Sequence, residues 1–271
     1  MAILDVPNWV RILLLITSAI SFIPQLLRTI SRKNSTGISS FYVLFNLIST
    51  TEQFALTFFF IVNYPKDSDF FVHNPKNAGD WINFAQMSVI VVLWLTYFVV
   101  CLYLPSDHRD CSVKVAIGTY ITFLLVSVIP VFSDAAFASR GPDRRMEMDI
   151  FFGVHSQFLS WIITSFNVVA VYFQLKETRL RPQERALSGL GLAVQAVIFT
   201  VVAFSWVGRI KFPYPDGEIP WTFLSTWYQL VGWATVNNGI FALGQAILLW
   251  IIAGHRLDEQ VYGETEPLLR A

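Results

Sequence analysis

Ser21-Phe22-Ile23-Pro24-Gln25-Leu26-Leu27 lies near the end of a long apolar run, and the basic stretch Arg28 to Lys33 follows it. A proline inside a helix removes one backbone hydrogen bond and creates a hinge point. Gln25 beside it sets a strong donor and acceptor where hydrocarbon offers no partner. A passive anchor has no use for that pair, whereas a helix that changes shape does.

The surrounding composition fits a bilayer solvent. Of 271 residues, 54% are hydrophobic and 15% aromatic, and only 14% are charged, against roughly 25% charged in soluble domains. A core of this length cannot hide so much apolar side chain, so lipid must be part of the solvent. The formal net charge is zero, which gives no footing for a nucleic-acid partner. Cys101 and Cys111 are the two cysteines, too few for a disulfide framework or a metal-ligand cluster. The motifs HExxH, GxSxG and CxxC and the P-loop are absent from the chain. The expectation is therefore a non-enzyme without cofactor or metal. Asp5 is the only charge before Arg11, so the first apolar run reads as a retained helix rather than a cleaved signal peptide.

A span needs about 20 mainly apolar residues. Seven such runs follow: Asn8–Ile30, Ile38–Asn63, Trp81–Leu104, Val113–Phe132, Ile150–Leu175, Leu187–Gly208 and Thr222–Ala253. Turn signals separate them at Asn63-Tyr64-Pro65, Pro105-Ser106-Asp107, Arg140-Gly141-Pro142 and Tyr214-Pro215-Asp216-Gly217. Trp81, Trp206, Trp221 and Trp227 stand near span ends, as an aromatic belt predicts, and Arg11 is placed to snorkel to the N-terminal interface. Eleven Lys and Arg residues fall on the side holding Arg28, Arg32, Lys33, Arg179 and Arg185, and seven fall on the other. The richer side is expected in the cytosol, with the N-terminus lumenal and the C-terminus cytosolic.

Sliding the chain on itself by 149 residues sets Gln25-Leu26 on Gln174-Leu175, Thr29 on Thr178, Arg32 on Arg181 and Ser39 on Ser188. The match joins span 1 to span 5 and span 2 to span 6. Seven spans then divide into a first triple-helix repeat at 8–104, a linker helix at 113–132, a second triple-helix repeat at 150–253 and a tail at 254–271. A single linker helix makes the two triplets parallel in the membrane, a repeat plan used by secondary transporters. The expected fold class is an all-α, polytopic, seven-helix 3+1+3 membrane protein.

Phe22-Ile23-Pro24-Gln25, the basic loop, and Ser35-Thr36-Gly37-Ile38-Ser39 at the start of the next span resemble the PQ-loop repeat family. That family includes lysosomal and vacuolar amino-acid exporters and is distantly similar to the SWEET carriers and the KDEL receptor. The resemblance implies transport by alternating access, with Pro24 as hinge and Gln25 and Gln174 as gating or helix-pairing groups. The second motif departs from the pattern: Phe173 stands where a second proline is expected. Pro182-Gln183 is a decoy in the charged loop. This departure keeps a second class open, a non-transporting PQ-loop protein that recruits or regulates partners.

Polar residues recur at helical spacing inside three spans. Span 2 carries Asn46, Thr50, Gln53 and Thr57; span 5 carries Gln157, Ser160, Thr164, Asn167 and Gln174; span 7 carries Tyr228, Thr235, Asn238 and Gln245. Each set falls on one helix face. Three such faces can converge on a wet cavity or serve as hydrogen-bonding glue between helices. Similarity to the sugar-carrier relatives implies an asparagine in the third helix of each repeat. Aligning Trp81 with Trp233 sets Gln86 opposite Asn238, which brings Asn237 and Asn238 into the substrate group with Asn46, Gln53 and Asn167. Glu52 is the one acid well inside a predicted span, and intramembrane carboxylates often mark proton or ion relays. His155 falls near a span end and reads as interfacial.

The tail ends Glu264-Thr265-Glu266-Pro267-Leu268-Leu269-Arg270-Ala271. Glu264 with Leu268 and Leu269 fits the acidic dileucine pattern that clathrin adaptors read, on a tail expected to be irregular. The expected partners are thus the lipid bilayer, a small polar solute (most plausibly an amino acid, alternatively a SWEET-like sugar), protons, and a clathrin adaptor. The expected place is a lysosomal or vacuolar membrane.

Two expectations are checked directly. Asn34-Ser35-Thr36 is a glycosylation sequon, and a cytosolic loop leaves Asn34 unmodified. A glycosidase-sensitive gel shift that disappears in Asn34→Gln reverses the orientation. Leu268→Ala combined with Leu269→Ala moves the protein from lysosome-like membranes to the cell surface, because the adaptor loses its apolar anchors. Unchanged localisation by microscopy removes the sorting role.

Overall fold

The computed structural model describes residues 6–63, 71–107, 109–137, 142–181, 186–210, 212 and 221–269. Three of the turn signals, at 63–65, 140–142 and 214–217, and the decoy Pro182-Gln183 lie wholly or partly outside these. Seven helices are long and apolar enough to cross a membrane: α1 (Asn8–Arg32), α2 (Ser40–Asn63), α3 (Ala78–Tyr103), α4 (Val113–Phe137), α5 (Met146–Leu180), α6 (Gly189–Val207) and α7 (Trp221–Gly254). No strand occurs among the described residues. Helices are the only open-ended way to satisfy every backbone polar group in hydrocarbon.

Side chains visible in the sequence start several of these helices. Ser39, Ser112 and Ser188 precede α2, α4 and α6, and each hydroxyl accepts an N–H from the first turn. Asn77 and Asp80 form a reciprocal capping box at the start of α3. Such caps satisfy donors that the first helical turn leaves orphaned. Between α1 and α2 the chain turns through Lys33 and Gly37, both at positive φ. Gly37 holds φ 89°, which glycine adopts without steric cost.

The helices pair in the same way in both triplets. In the first, α3 lies against both α1 and α2; in the second, α7 lies against both α5 and α6. Across the divide, α2 packs on α5 and α1 packs on α6, while α4 rests on the outer side of α2. The third helix of each triplet thus sits between the first two, and the first helix of one triplet meets the second helix of the other. Lipid supplies little drive for helix association, so close contact and interhelical hydrogen bonds decide such packing. Gly244 shows how close α7 comes to α5: a Cβ built on it would stand 2.4 Å from Val171 Cγ2.

Four sequence expectations need correction here. Trp206 is not part of an interfacial belt; it is fully buried and stacks on Phe71 at 5.7 Å. Arg11 does not snorkel outward. Its side chain is buried, and its Nε donates to the Val6 carbonyl at 2.9 Å. Gly79 on α3 makes the room, since a Cβ there would lie 2.5 Å from Arg11 Nη1. Helix α4 runs five residues past its predicted end and takes in Asp134, which pairs with Arg144 at 2.8 Å and accepts from Asn63. The tail is helical rather than irregular, because the last helix continues from Trp233 through Leu269. The side chains of Glu264, Leu268 and Leu269 lie outside the description.

Candidate functional site

Pro24 and Phe173 occupy equivalent positions and give different helices. Helix α1 is interrupted for one residue at Phe22, between Asn8–Ser21 and Ile23–Arg32. The proline lacks the N–H that would bond back into the first segment. Around Phe173 the helix is continuous from Ser160 to Leu180. The Phe173 ring instead packs on Phe41 of α2, with centroids 4.7 Å apart.

The two glutamines behave alike. Gln25 Oε1 accepts from the Ser188 backbone N–H at 2.7 Å, and its Nε2 donates to the Ala186 carbonyl at 3.4 Å and to Thr29 Oγ1 at 3.2 Å. Gln174 Oε1 accepts from the Ser39 backbone N–H at 3.0 Å, and its Nε2 donates to the Gly37 carbonyl at 3.0 Å and to Thr178 Oγ1 at 3.3 Å. Every partner in the first set maps onto its counterpart in the second by the same 149-residue shift. Each glutamine therefore closes the start of the second helix of the opposite triplet. Gln25 also donates to Tyr97 at 2.9 Å.

Next to the glutamines lies a layer of aromatic rings. Trp94 meets Phe22 at 5.5 Å, Tyr42 at 5.8 Å and Phe241 at 5.8 Å, mostly edge to face, and Phe199 meets Phe241 at 4.7 Å. Edge-to-face pairs of this kind contribute about 0.5–1.5 kcal/mol each beyond their area. Trp94 borders a small pocket beside Gln25 and also a second cavity between the triplets.

That second cavity is lined by Asn46, Ser49, Thr50, Gln53, Asn167, Asn237 and Asn238, with Trp94, Phe199 and Phe241. All five residues expected at a substrate site thus share one wall. Asn167 Nδ2 donates to Ser49 Oγ at 2.9 Å and to Asn237 Oδ1 at 3.1 Å, and Thr164 Oγ1 donates to Asn237 Oδ1 at 2.7 Å. Asn238 Nδ2 donates to Gln53 Oε1 at 3.3 Å. The lining includes no charged side chain. Its volume is about 20 Å³, the scale of one or two waters. Anything larger enters only when the helices move apart.

Glu52 sits one residue from the cavity wall and is bonded to His155. Its Oε1 lies 2.6 Å from His155 Nδ1, and each residue is only 2% exposed. The other carboxylate oxygen, Oε2, is buried without a hydrogen-bond partner. Phe151 stacks on the imidazole at 4.0 Å.

Residues 6–67, covering α1 and α2, match the model described as PQ loop repeat. That stretch, about a quarter of the chain, is similar to a PQ loop repeat. No curated protein matches the chain. The second motif lies outside that match and is visible in the geometry through Gln174.

Two more sequence expectations change at the site. His155 is not interfacial, and Gln157 leaves the polar stripe for the exposed surface. The cause is a π-helical turn at His155–Leu159. The wider turn rotates everything before Ser160, swinging His155 and Ser156 inward and Gln157 out. Gln86, which aligns with Asn238 and is not among the expected cavity residues, does not line the cavity. It is held by Arg209 Nη1 at 2.7 Å and donates to Ser18 Oγ at 3.1 Å. Arg209 is itself buried, lies 4.8 Å over the Trp206 ring, and also donates to Asn83 at 3.1 Å. Burial, then the like charge of Arg11, works against its charged form. Sequence reasoning missed Ser49, Trp94 and His155. Ser49 was within reach, three residues from Asn46 and four from Gln53 on the same stripe.

The reciprocal bonds predict reciprocal costs. Gln25→Leu strips the acceptor from Ser188 N–H, and Gln174→Leu strips it from Ser39 N–H. Each leaves a buried donor unsatisfied, at roughly 1–3 kcal/mol. Thermal unfolding of the purified chain in detergent is expected to show similar falls in Tm for both variants. A fall in only one would break the equivalence.

Proposed function

We propose that this PQ-loop protein carries a small polar solute of no net charge across a lysosomal or vacuolar membrane by alternating access. The observation that carries the reading is the amide-lined cavity between two similarly packed triplets, closed at one end by the paired glutamines. Residues 8–104 and 150–253 act as the moving repeats, with 113–132 as their linker. Pro24 supplies the hinge, Gln25 and Gln174 hold the glutamine end shut, and Asn46, Gln53, Asn167, Asn237 and Asn238 contact the solute. Glu52 binds the coupling proton. The basic-loop end, where the glutamines sit, faces the cytosol, and the dileucine Leu268-Leu269 with Glu264 directs the protein through a clathrin adaptor.

A neutral amino acid suits these walls once the helices part, because a zwitterion brings no net charge to walls that offer none. A second solute class has its own support: amide groups beside the face of Trp94 suit a sugar, whose hydroxyls bond to amides and whose C–H faces lie on aromatic rings. The rival reading as a non-transporting partner-binding protein draws on Phe173, which replaces one of the two hinges with packing.

The test is uptake into proteoliposomes, screening neutral amino acids and sugars at equal protein content. Asn167→Ala is expected to cut flux roughly tenfold, since one buried hydrogen bond to a solute is worth about 1–3 kcal/mol. Pro24→Ala restores the helical hydrogen bond and is expected to slow flux while the fold persists. No uptake of any neutral solute favours the partner-binding reading, and equal flux in wild type and Pro24→Ala removes the hinge.

A further inference from the structure

The Glu52–His155 bond joins the two triplets. Glu52 belongs to α2 and His155 to α5, and these helices pack on each other across the two triplets. The pair also sits on the opposite side of the cavity from the glutamines. Along α2, Ser39 at the start accepts the glutamine cap, Asn46, Ser49 and Gln53 line the cavity, and Glu52 faces His155 a turn beyond Ser49. Along α5 the order runs the other way, with His155, then Asn167, then Gln174. The cavity is thus bracketed by two ties. One is made of neutral amides. The other is made of two groups that both change charge.

We infer that Glu52 and His155 form a proton-operated latch that closes the repeat interface on the side away from the glutamines. With one proton shared between Oε1 and Nδ1 the pair has no net charge, which is the state that burial favours. A second proton, delivered from hydronium on the acidic side, goes to Oε2, the oxygen with no partner. The carboxylate becomes a carboxylic acid beside an imidazolium. The acid is a weaker acceptor than the carboxylate, and the pair now carries a net positive charge in a dry site. Both changes loosen the tie between α2 and α5. Loss of the second proton to water restores it.

The surroundings leave this pair to set its own charge. From α7 the facing titratable group is Tyr228, whose hydroxyl donates to the Ser160 carbonyl at 2.8 Å and lies 2.5 Å from Thr164 Oγ1. From α4 it is Tyr120, 3.2 Å from the Thr51 hydroxyl. From α3, Asp80 is taken up by His73 at 3.0 Å. Within α5 itself, Glu147 and Asp149 are exposed. Among the described residues the only ion-pair partner of Glu52 is His155. The π turn that aims His155 inward also packs on another π turn, Tyr228–Gly232 of α7. The latch occurs once: the 149-residue shift that relates the glutamines sets Val201 and Val6 where Glu52 and His155 stand.

The consequence for transport rests on the proposed function, but the latch can be tested without it. The purified full chain in lipid nanodiscs is followed by hydrogen–deuterium exchange at about pH 7.5 and about pH 5, corrected for intrinsic rates. Wild type is expected to lose roughly tenfold protection at lower pH around 155–159 and in the facing part of α2, as a local opening requires. Glu52→Gln and His155→Gln are expected to show the same protection at both values. An equal pH response in wild type and both variants, or none in wild type, overturns the latch. Should a variant not fold, His73→Gln, His108→Gln and His255→Gln together leave one imidazole, and its carbon resonance is expected to shift with pH in step with the exchange. A constant resonance also overturns it. A pH response intact in a chain that takes up no solute supports the latch and removes the transport reading, whereas uptake with pH-independent exchange does the reverse.

Discussion

A backbone N–H at the start of a membrane helix has no turn before it to bond with and no water to replace that turn. Left alone it costs several kcal/mol. Here the N–H groups of Ser39 and Ser188 are satisfied by Gln174 and Gln25, each reaching from the other triplet. The rest of the architecture depends on this exchange. It fixes the register of the triplets to within one residue, because only a matched pair of helices can present both glutamines to both helix starts.

Glutamine suits the task through its two ends. The carbonyl oxygen accepts the orphan N–H, while the amide nitrogen donates to the carbonyl two residues earlier and to a threonine one turn along its own helix. A glutamate would accept but could not donate, and a leucine would do neither. The bonds are neutral and run between groups that could also bond to water. On the proposed mechanism, such a tie closes one end of the molecule and is undone when that end opens.

Much of this was readable before any coordinates. The 149-residue shift already aligned Gln25 with Gln174 and Ser39 with Ser188, and the stripes Asn46–Gln53, Asn167 and Asn238 already pointed at one another. What the periodicity could not reveal follows from local breaks in it. A π turn has no strong sequence signature, so the helical projection carried Gln157 inward and left His155 at the surface. Gln86 and Arg209 are far apart in sequence, and no pattern along one helix announces a partner on another. Arg11 was read by the general habit of long cations near helix ends, which the small Gly79 on α3 overrides.

The two triplets share a fold but not a mechanism of bending. The α1–α6 contact carries the broken helix at Phe22 and Pro24, while the α2–α5 contact carries a continuous helix with Phe173 packed on Phe41 and the Glu52–His155 bond. If both interfaces yielded equally, each would need its own weak point. Here one side has a helix interrupted at Phe22 and the other a helix continuous from Ser160 to Leu180, joined to α2 by the Glu52–His155 bond. On the proposed mechanism, motion concentrates in α1 and the α2–α5 contact sets when that motion is allowed. Phe173, the residue that breaks the sequence motif, fits that proposal, since a second hinge in α5 would let the helix bend without first releasing His155.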